Sequence, residues 1–298
     1  MAAELERYKE IVRGRARARF LGVDLDDRIE RAEGLSSPCR LCERACGVDR
    51  KGGGRGVCGV GAARVASEFL HFGEEPELVP SHTIFFAGCT FKCVFCQNWD
   101  ISQFPERGRE VSPEELARVI QTSGGINVNW VGGDPTSNLV YILKVMRELQ
   151  RLEVNIAQVW NSNMYLSEEA MKILDGVIDV YLSDFKYGND ACARRLSKVE
   201  RYFEVVSRNH LLAARQCEIL LRHLVMPGHI ECCTKPVLKW VSENIPREVL
   251  RVNVMDQYHP DHIVLQDRRK YPELSRHLSM KEFLEAHQFA AGLGLDLV

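Results

Sequence analysis

Between residues 84 and 255 the chain alternates six times between a short apolar run and a longer segment, and nearly every run ends on glycines or polar residues. The runs are 84–87, 126–131, 154–160, 177–182, 219–226 and 250–255. Such short, β-branched-rich runs suit strands buried on both faces. The intervening segments carry helical signals. Ser112-Pro113-Glu114-Glu115 places a cap, a first-turn proline and a capping-box acid ahead of Leu116, Val119 and Ile120. Segments 139–150, 202–216 and 235–244, and those opened by Ser167 and by Ser279 with Glu282, continue the pattern. Repeated strand–helix units require a parallel sheet with right-handed crossovers, so the chain is α/β. A parallel barrel and an open doubly wound sheet both satisfy this, but none of the six apolar runs ends in the G-x-G-x-x-G fingerprint that would support the second. In parallel barrels the working residues collect at the C-terminal ends of the strands. Here those ends are Gly132-Gly133-Asp134-Pro135, Asn161-Ser162-Asn163, Asp184-Phe185-Lys186, Pro227-Gly228 and Gln257-Tyr258-His259-Pro260.

The first strand end is different. Gly88 breaks the apolar run, and Cys89, Cys93 and Cys96 follow at C-x3-C-x2-C spacing. A loop of this kind can wrap three thiolates around a cubane iron–sulfur cluster, whose usual set is four. The next cysteine is Cys192, so one iron would be left open to a small molecule. A zinc knuckle would instead pair two cysteine or histidine halves.

A second cysteine set lies upstream. Cys39, Cys42, Cys46 and Cys58 follow C-x2-C-x3-C-x11-C, with glycines from 52 to 56 that allow a tight fold-back. Four thiolates suit zinc and an auxiliary iron–sulfur cluster equally. Eleven cysteines in clusters point to metals in a reducing, cytoplasmic compartment rather than to disulfides. Cys192, Cys217, Cys232 and Cys233 share no metal-like spacing and read as ordinary thiols. The formal net charge of −2 gives no electrostatic reason to expect nucleic acid or an acidic membrane, and no apolar run approaches the ~18 residues of a membrane span. Arginines 13, 15, 17 and 19 suggest a transit peptide, but Glu4, Glu6 and Glu10 argue for a surface helix within 1–33. Residues 65–72 read as a further strand. The expected division is 1–75, helix plus cysteine-rich metal-binding segment, and 76–298, the repeating core with a C-terminal helix.

The C-x3-C-x-aromatic-C pattern, with Phe95 at the aromatic position, resembles the radical S-adenosylmethionine (SAM) superfamily. That resemblance implies an incomplete (β/α)6 parallel barrel, a 4Fe–4S cluster on Cys89, Cys93 and Cys96, and SAM chelated to the open iron. It also implies reductive cleavage of SAM to methionine and a 5′-deoxyadenosyl radical that abstracts hydrogen. Gly132-Gly133-Asp134-Pro135 resembles the superfamily's GGEP motif, with Asp134 one methylene shorter, where Gly132 and Gly133 meet the methionyl ammonium. Asp184 and Lys186 resemble the D-x-K element set beneath the methionyl carboxylate in glycyl-radical activating enzymes. Asn161, Ser162 and Asn163 stand where those enzymes keep SAM- or cation-contacting residues, and His259 matches a histidine near the methionyl and ribose groups. Arg222, mid-strand between Leu221 and Leu224, calls for a carboxylate to offset its burial, and bound SAM would offer one. Beyond cluster and SAM site, no catalytic side chain is singled out. The resemblance covers residues 80–260 and is nearest to proteins like pyruvate formate-lyase activating enzyme, in a branch with an N-terminal cysteine-rich segment. Cys96-Gln97-Asn98 and Asp184-Phe185-Lys186-Tyr187-Gly188 carry the finer match, whereas the four N-terminal cysteines depart from the prototype. The partners it implies are a flavodoxin- or ferredoxin-type electron donor and a glycyl radical protein. Modification of another macromolecule or a metabolite is the alternative reading, and a non-catalytic electron carrier is a third.

Overall fold

The computed structural model describes residues 5–298; residues 1–4 of the expected N-terminal helix lie outside the described residues. Seven strands form one sheet in sequential order: β1 (Val65–His71), β2 (Ser81–Phe86), β3 (Asn127–Gly132), β4 (Ala157–Ser162), β5 (Val180–Asp184), β6 (Glu218–Leu224) and β7 (Leu250–Met255). β1 runs antiparallel to β2, and every later pair is parallel. An order that never reverses has no switch point, which rules out the doubly wound alternative. β7 does not pair with β1, so the barrel is open along one seam.

The helices are α1 (Glu6–Val12), α2 (Leu25–Ser36), α3 (Trp99–Ser102), α4 (Pro113–Thr122), α5 (Leu139–Arg151), α6 (Glu168–Leu174), α7 (Asp190–Ser197), α8 (Tyr202–Gln216), α9 (Lys235–Asn244), α10 (His262–Gln266) and α11 (Met280–Gly292). The expected caps are present: Ser112 accepts from Glu115 N, Ser167 from Ala170 N, and Ser279 with Glu282 completes a full capping box. α7 has no counterpart in the sequence-based reading. Asn189 starts it by accepting from Cys192 N.

The helix expected over 1–33 is broken at Gly14, which adopts φ +70°, and at a short 3-10 turn over Arg19–Gly22. The break lets the segment cross the barrel floor. Tyr8 Oη accepts from Asn127 at the start of β3 (2.8 Å), and the Glu218 carboxylate at the start of β6 accepts from the backbone of Arg7 and Tyr8. Phe20 is wholly buried behind this crossing.

At the open seam, side chains and the C-terminus stand in for ladder bonds. Glu75 in the β1–β2 connection accepts from Asn253 of β7 (2.8 Å) and from Arg222 of β6, and Glu77 pairs with Arg251 of β7. Residues 296–298 add a parallel bridge to β7, with Val252 N donating to Asp296 O and Val298 N to Val252 O. The outer edge of β7 is thereby covered.

Candidate active site

Gly88 follows β2 at φ +88°, and a Cβ there would meet Val60 Cγ2 at 2.3 Å. This bend sends the chain into the cysteine loop above the C-terminal ends of the strands. The backbone of Lys92 and Val94 donates to Ser197 O and Leu196 O at the end of α7, and His262 Nδ1 lies 3.2 Å from Cys93 O. Cys89 and Cys93 are buried and Cys96 half-buried. Their sulfurs have polar neighbours: Phe91 N donates to Cys89 (3.3 Å), while the Ser197 and Ser102 hydroxyls lie 2.9 Å from Cys93 and 3.3 Å from Cys96. Phe95 packs edge-on against Tyr258. Burial pushes all three thiols above their ordinary value, Cys93 to about 12. A metal group must therefore displace three protons on loading.

The three cysteines line one cavity of about 500 Å³, whose walls come from the ends of β3 to β7. Gly132, Gly133, Asp134, Asn161, Ser162, Asn163, Asp184, Lys186 and Arg222 all border it. The volume falls in the range of a small-molecule site, about 300–1,000 Å³. Asn161 is 8% exposed and makes no side-chain hydrogen bond among the described residues. An unpartnered buried amide facing a cavity signals a ligand that completes it. Two buried thiols and a half-buried one, this amide and the half-buried Asp184–Lys186 ion pair fit a three-thiolate cluster with SAM beside it.

Asp184 and Lys186 share a face, with Lys186 Nζ donating to Asp184 at 2.6 Å, while Phe185 between them turns into the core. Burial works against the Lys186 charge, but Asp184 and the Cys93 sulfur outweigh it and hold the ammonium above its ordinary pKa. The glycines have a packing reason too: a Cβ on Gly133 would sit 2.0 Å from Gly88 O, and one on Gly132 2.1 Å from Phe86 N. Asp134 is engaged within the chain. Its carboxylate accepts from Thr136 N (2.9 Å), Asn163 N (3.1 Å) and the Ser162 hydroxyl (3.2 Å), tying the end of β3 to that of β4. Asn163 in turn donates to the Thr90 hydroxyl inside the cluster loop (2.9 Å).

Two expectations are corrected by the contacts. Arg222 does not wait for a bound carboxylate, because Glu74 and Glu75 already grip it: Nε lies 2.7 Å and Nη2 2.6 Å from the Glu75 carboxylate, and Nη2 also pairs with Glu74. His259 is exposed and outside the cavity lining, and among the described residues its ring has no hydrogen-bond partner but Pro260 O at 3.3 Å. Tyr258 takes the buried position, its hydroxyl donating to Leu274 O, which turns its neighbour outward.

The N-terminal cysteine segment packs beside the cluster loop. Arg44 Nε donates to Thr90 O in the cluster loop and Cys42 bridges to Leu166 beyond β4, while Arg50 Nη1 donates to Val60 O within the segment itself. None of residues 34–62 lines the cavity. Arg50 also donates to Cys39 Sγ and Cys58 Sγ, both at 3.0 Å. Cys42 is buried and pushed up to about 12 by that burial. The downstream thiols are not the scattered set expected from their spacing. Cys192, Cys232 and Cys233 converge with His229, their ligand atoms all within 4.8 Å of one another. Cys217 stays apart, buried at the start of β6.

A family model described as the radical SAM superfamily matches residues 83–241. The chain is 47% identical over 282 residues to an uncharacterized protein of Methanocaldococcus jannaschii, MJ0674, covering 92% of this chain and 80% of that one. It is 24% identical over 161 residues to pyruvate formate-lyase-activating enzyme of Staphylococcus aureus, covering 50% of this chain and 62% of the enzyme. Among solved structures, a domain of pyruvate-formate lyase-activating enzyme from Bacteroides vulgatus aligns over 58% of this chain and 98% of its own length, with a TM-score of 0.44 and 17% identity.

Proposed function

The chain belongs to the radical SAM superfamily, and from that membership we propose that it abstracts hydrogen from a macromolecular substrate, a glycine of a partner protein being the first candidate. The observation that carries this reading is the mouth of the cavity. Gly73, Pro76, Gln97, Asn98 and Gln257 line it and are exposed to solvent, and no residue of the cysteine-rich segment crosses it. A metabolite enzyme gains by closing its mouth, since a radical survives where water and stray hydrogen donors are excluded. An enzyme acting on another protein must admit a loop. Phe72, beside this rim, is 71% exposed, an apolar side chain of the kind that anchors a partner.

Radical SAM proteins use a 4Fe–4S cluster and SAM and need a reductant, for which we propose a flavodoxin- or ferredoxin-type donor. When bound, the reduced cluster supplies the electron that splits SAM into methionine and the 5′-deoxyadenosyl radical. The chain's own residues orient and shield. Cys89, Cys93 and Cys96 would hold the cluster, while Gly132, Gly133, Asn161, Asp184 and Lys186 would hold SAM beside it. Asp134, Ser162 and Asn163 fix the strand ends on which these groups stand. For Cys39, Cys42, Cys46 and Cys58 we propose an auxiliary iron–sulfur cluster in preference to zinc. Among the described residues only the Cys192 set has three or more ligand atoms as close as one shared ion requires.

The test follows a labelled hydrogen. Glycyl radical proteins of the host carrying deuterated glycine are incubated anaerobically with reduced enzyme and SAM, and deuterium should appear in 5′-deoxyadenosine. SAM cleavage without transfer from any such protein would overturn the glycine assignment and favour modification of another substrate.

A further inference from the structure

We propose that Cys192, His229, Cys232 and Cys233 bind a single zinc ion that locks the loops after β5 and β6 together beneath the cluster loop. A tetrahedral ion with bonds of about 2.3 Å to sulfur and about 2.0–2.1 Å to nitrogen separates sulfur pairs by about 3.8 Å and sulfur–nitrogen pairs by about 3.6 Å. In the structure the sulfurs of Cys192 and Cys232 are 3.9 Å apart, and those of Cys232 and Cys233 are 3.8 Å apart. His229 Nδ1 lies 3.7, 3.3 and 3.6 Å from Cys192, Cys232 and Cys233. Five of the six edges of the tetrahedron are thus near the lengths such an ion needs, and the sixth, between the sulfurs of Cys192 and Cys233, is within 4.8 Å. A cubane cluster would hold each sulfur on a different iron and set them much further apart.

The surroundings fit a metal site as well. The other ring nitrogen of His229 lies 3.7 Å from Glu273 Oε1, so a carboxylate stands on the side of the ring where metal-bound imidazoles commonly keep one, although the pair is too far apart here for a hydrogen bond. Arg195 Nη1 pairs with the same Glu273 oxygen at 2.6 Å. Asn189 donates to Cys232 O (2.8 Å) and to Cys192 Sγ (3.4 Å), joining the two loops a second time. Cys232 and Cys233 sit in a π-helical turn over Ile230–Thr234, a local distortion common at functional sites. Gly188 lets the β5 loop approach closely, since a Cβ there would meet Cys232 O at 2.7 Å. Four protein ligands leave no open position, so the site is structural rather than catalytic. Zinc is the metal that a three-sulfur, one-nitrogen tetrahedron selects most directly.

Its position gives it a task. Cys192 lies near the start of α7, and Ser197 at the end of α7 contacts Cys93 Sγ at 2.9 Å and receives Lys92 N. An ion on Cys192 thus fixes one end of the helix whose other end holds the cluster loop.

The experiment is elemental analysis of the full chain, purified anaerobically with zinc, in a background where Cys89, Cys93 and Cys96 are Ala. Cys192→Ser and Cys232→Ser should each lower zinc by one equivalent per chain, and Cys217→Ser should leave it unchanged. Cobalt(II) in the same protein should give tetrahedral absorption with thiolate charge-transfer bands that Cys192→Ser weakens. Should Cys192→Ser fail to fold, exposed Cys232 supplies the reading: zinc should protect it from alkylation in the otherwise unaltered chain. Unchanged zinc in folded Cys232→Ser protein, equal alkylation with and without zinc, or a Cys192–Cys232 disulfide in the anaerobic protein would overturn the site.

Discussion

Cys96→Ala protein, reconstituted without oxygen and reduced with dithionite, should form no 5′-deoxyadenosine from SAM while keeping its fold. Cys96 is the least buried of the three cluster-loop cysteines, and the packing of its loop rests on neighbours: Val94 is wholly buried and Phe95 packs on Tyr258. Replacing a half-buried thiol by a methyl group leaves those contacts in place, at a cost of about 1 kcal/mol or less. The cluster, by contrast, has no spare thiolate at hand, since among the described residues no cysteine besides Cys89, Cys93 and Cys96 lines the cavity. Loss of one of three thiolates removes the group that delivers the electron. Circular dichroism and product analysis on the same preparation separate the two effects, and cleavage near the wild-type rate would contradict the ligand assignment.

Arg222→Met should cost about 3–5 kcal/mol of stability, the range for removing one partner of a buried ion pair. Arg222 is 14% exposed, and the side chains of Glu74 and Glu75 are 6% and 1% exposed, so the variant strands two carboxylates at the barrel's open seam. The pH dependence identifies the cause. Burial alone would raise the Glu75 pKa, but Arg222 and Asn253 outweigh it and hold the carboxyl below its ordinary value. A depressed acid contributes stability that is complete above its unfolded pKa, about 4.3, and is lost as pH falls through the folded value. In the variant the cation is gone and burial raises the same carboxyl, which destabilises the fold as pH rises. The difference in urea midpoint between wild type and Arg222→Met should therefore be largest near neutral pH and shrink in acid. A gap independent of pH would mean that lost packing, not the ion pair, sets the cost.

Much of this was legible in the sequence because it is written locally. The strand–helix period and the capping residues Ser112, Ser167 and Ser279 depend on neighbours a few positions away, and each appears as expected. The cysteine loop and the strand-end motifs reach one cavity because the fold gathers strand ends, so their placement followed from the period. What escaped depends on contacts far apart in sequence or on a change of register. The partners of Arg222 lie 147 and 148 residues away, in a connection with no motif of its own. The Cys192, His229, Cys232 and Cys233 group spans two neighbouring loops, and spacing along the chain hides a site that only the pairing of β5 with β6 assembles. A His229-x-x-Cys232-Cys233 run after a strand was the available signal. His259 was placed by resemblance to a histidine at the last strand end, but β7 ends at Met255 and Tyr258 takes the inward position. The break at Gly14 reflects a segment that has to cross the barrel floor, a demand no helical period records.

The direct measurement is product stoichiometry in the wild-type protein, reconstituted with iron and sulfide under anaerobic conditions, reduced, and given SAM. A radical SAM enzyme with an open-cornered cluster on Cys89, Cys93 and Cys96 should release methionine and 5′-deoxyadenosine in equal amounts, and the Cys89, Cys93 and Cys96 to Ala triple variant should release neither. A reduced cluster that passes electrons to an acceptor but leaves SAM intact would make the chain an electron carrier. A triple variant that cleaves SAM as the wild type does would place the chemistry elsewhere in the protein.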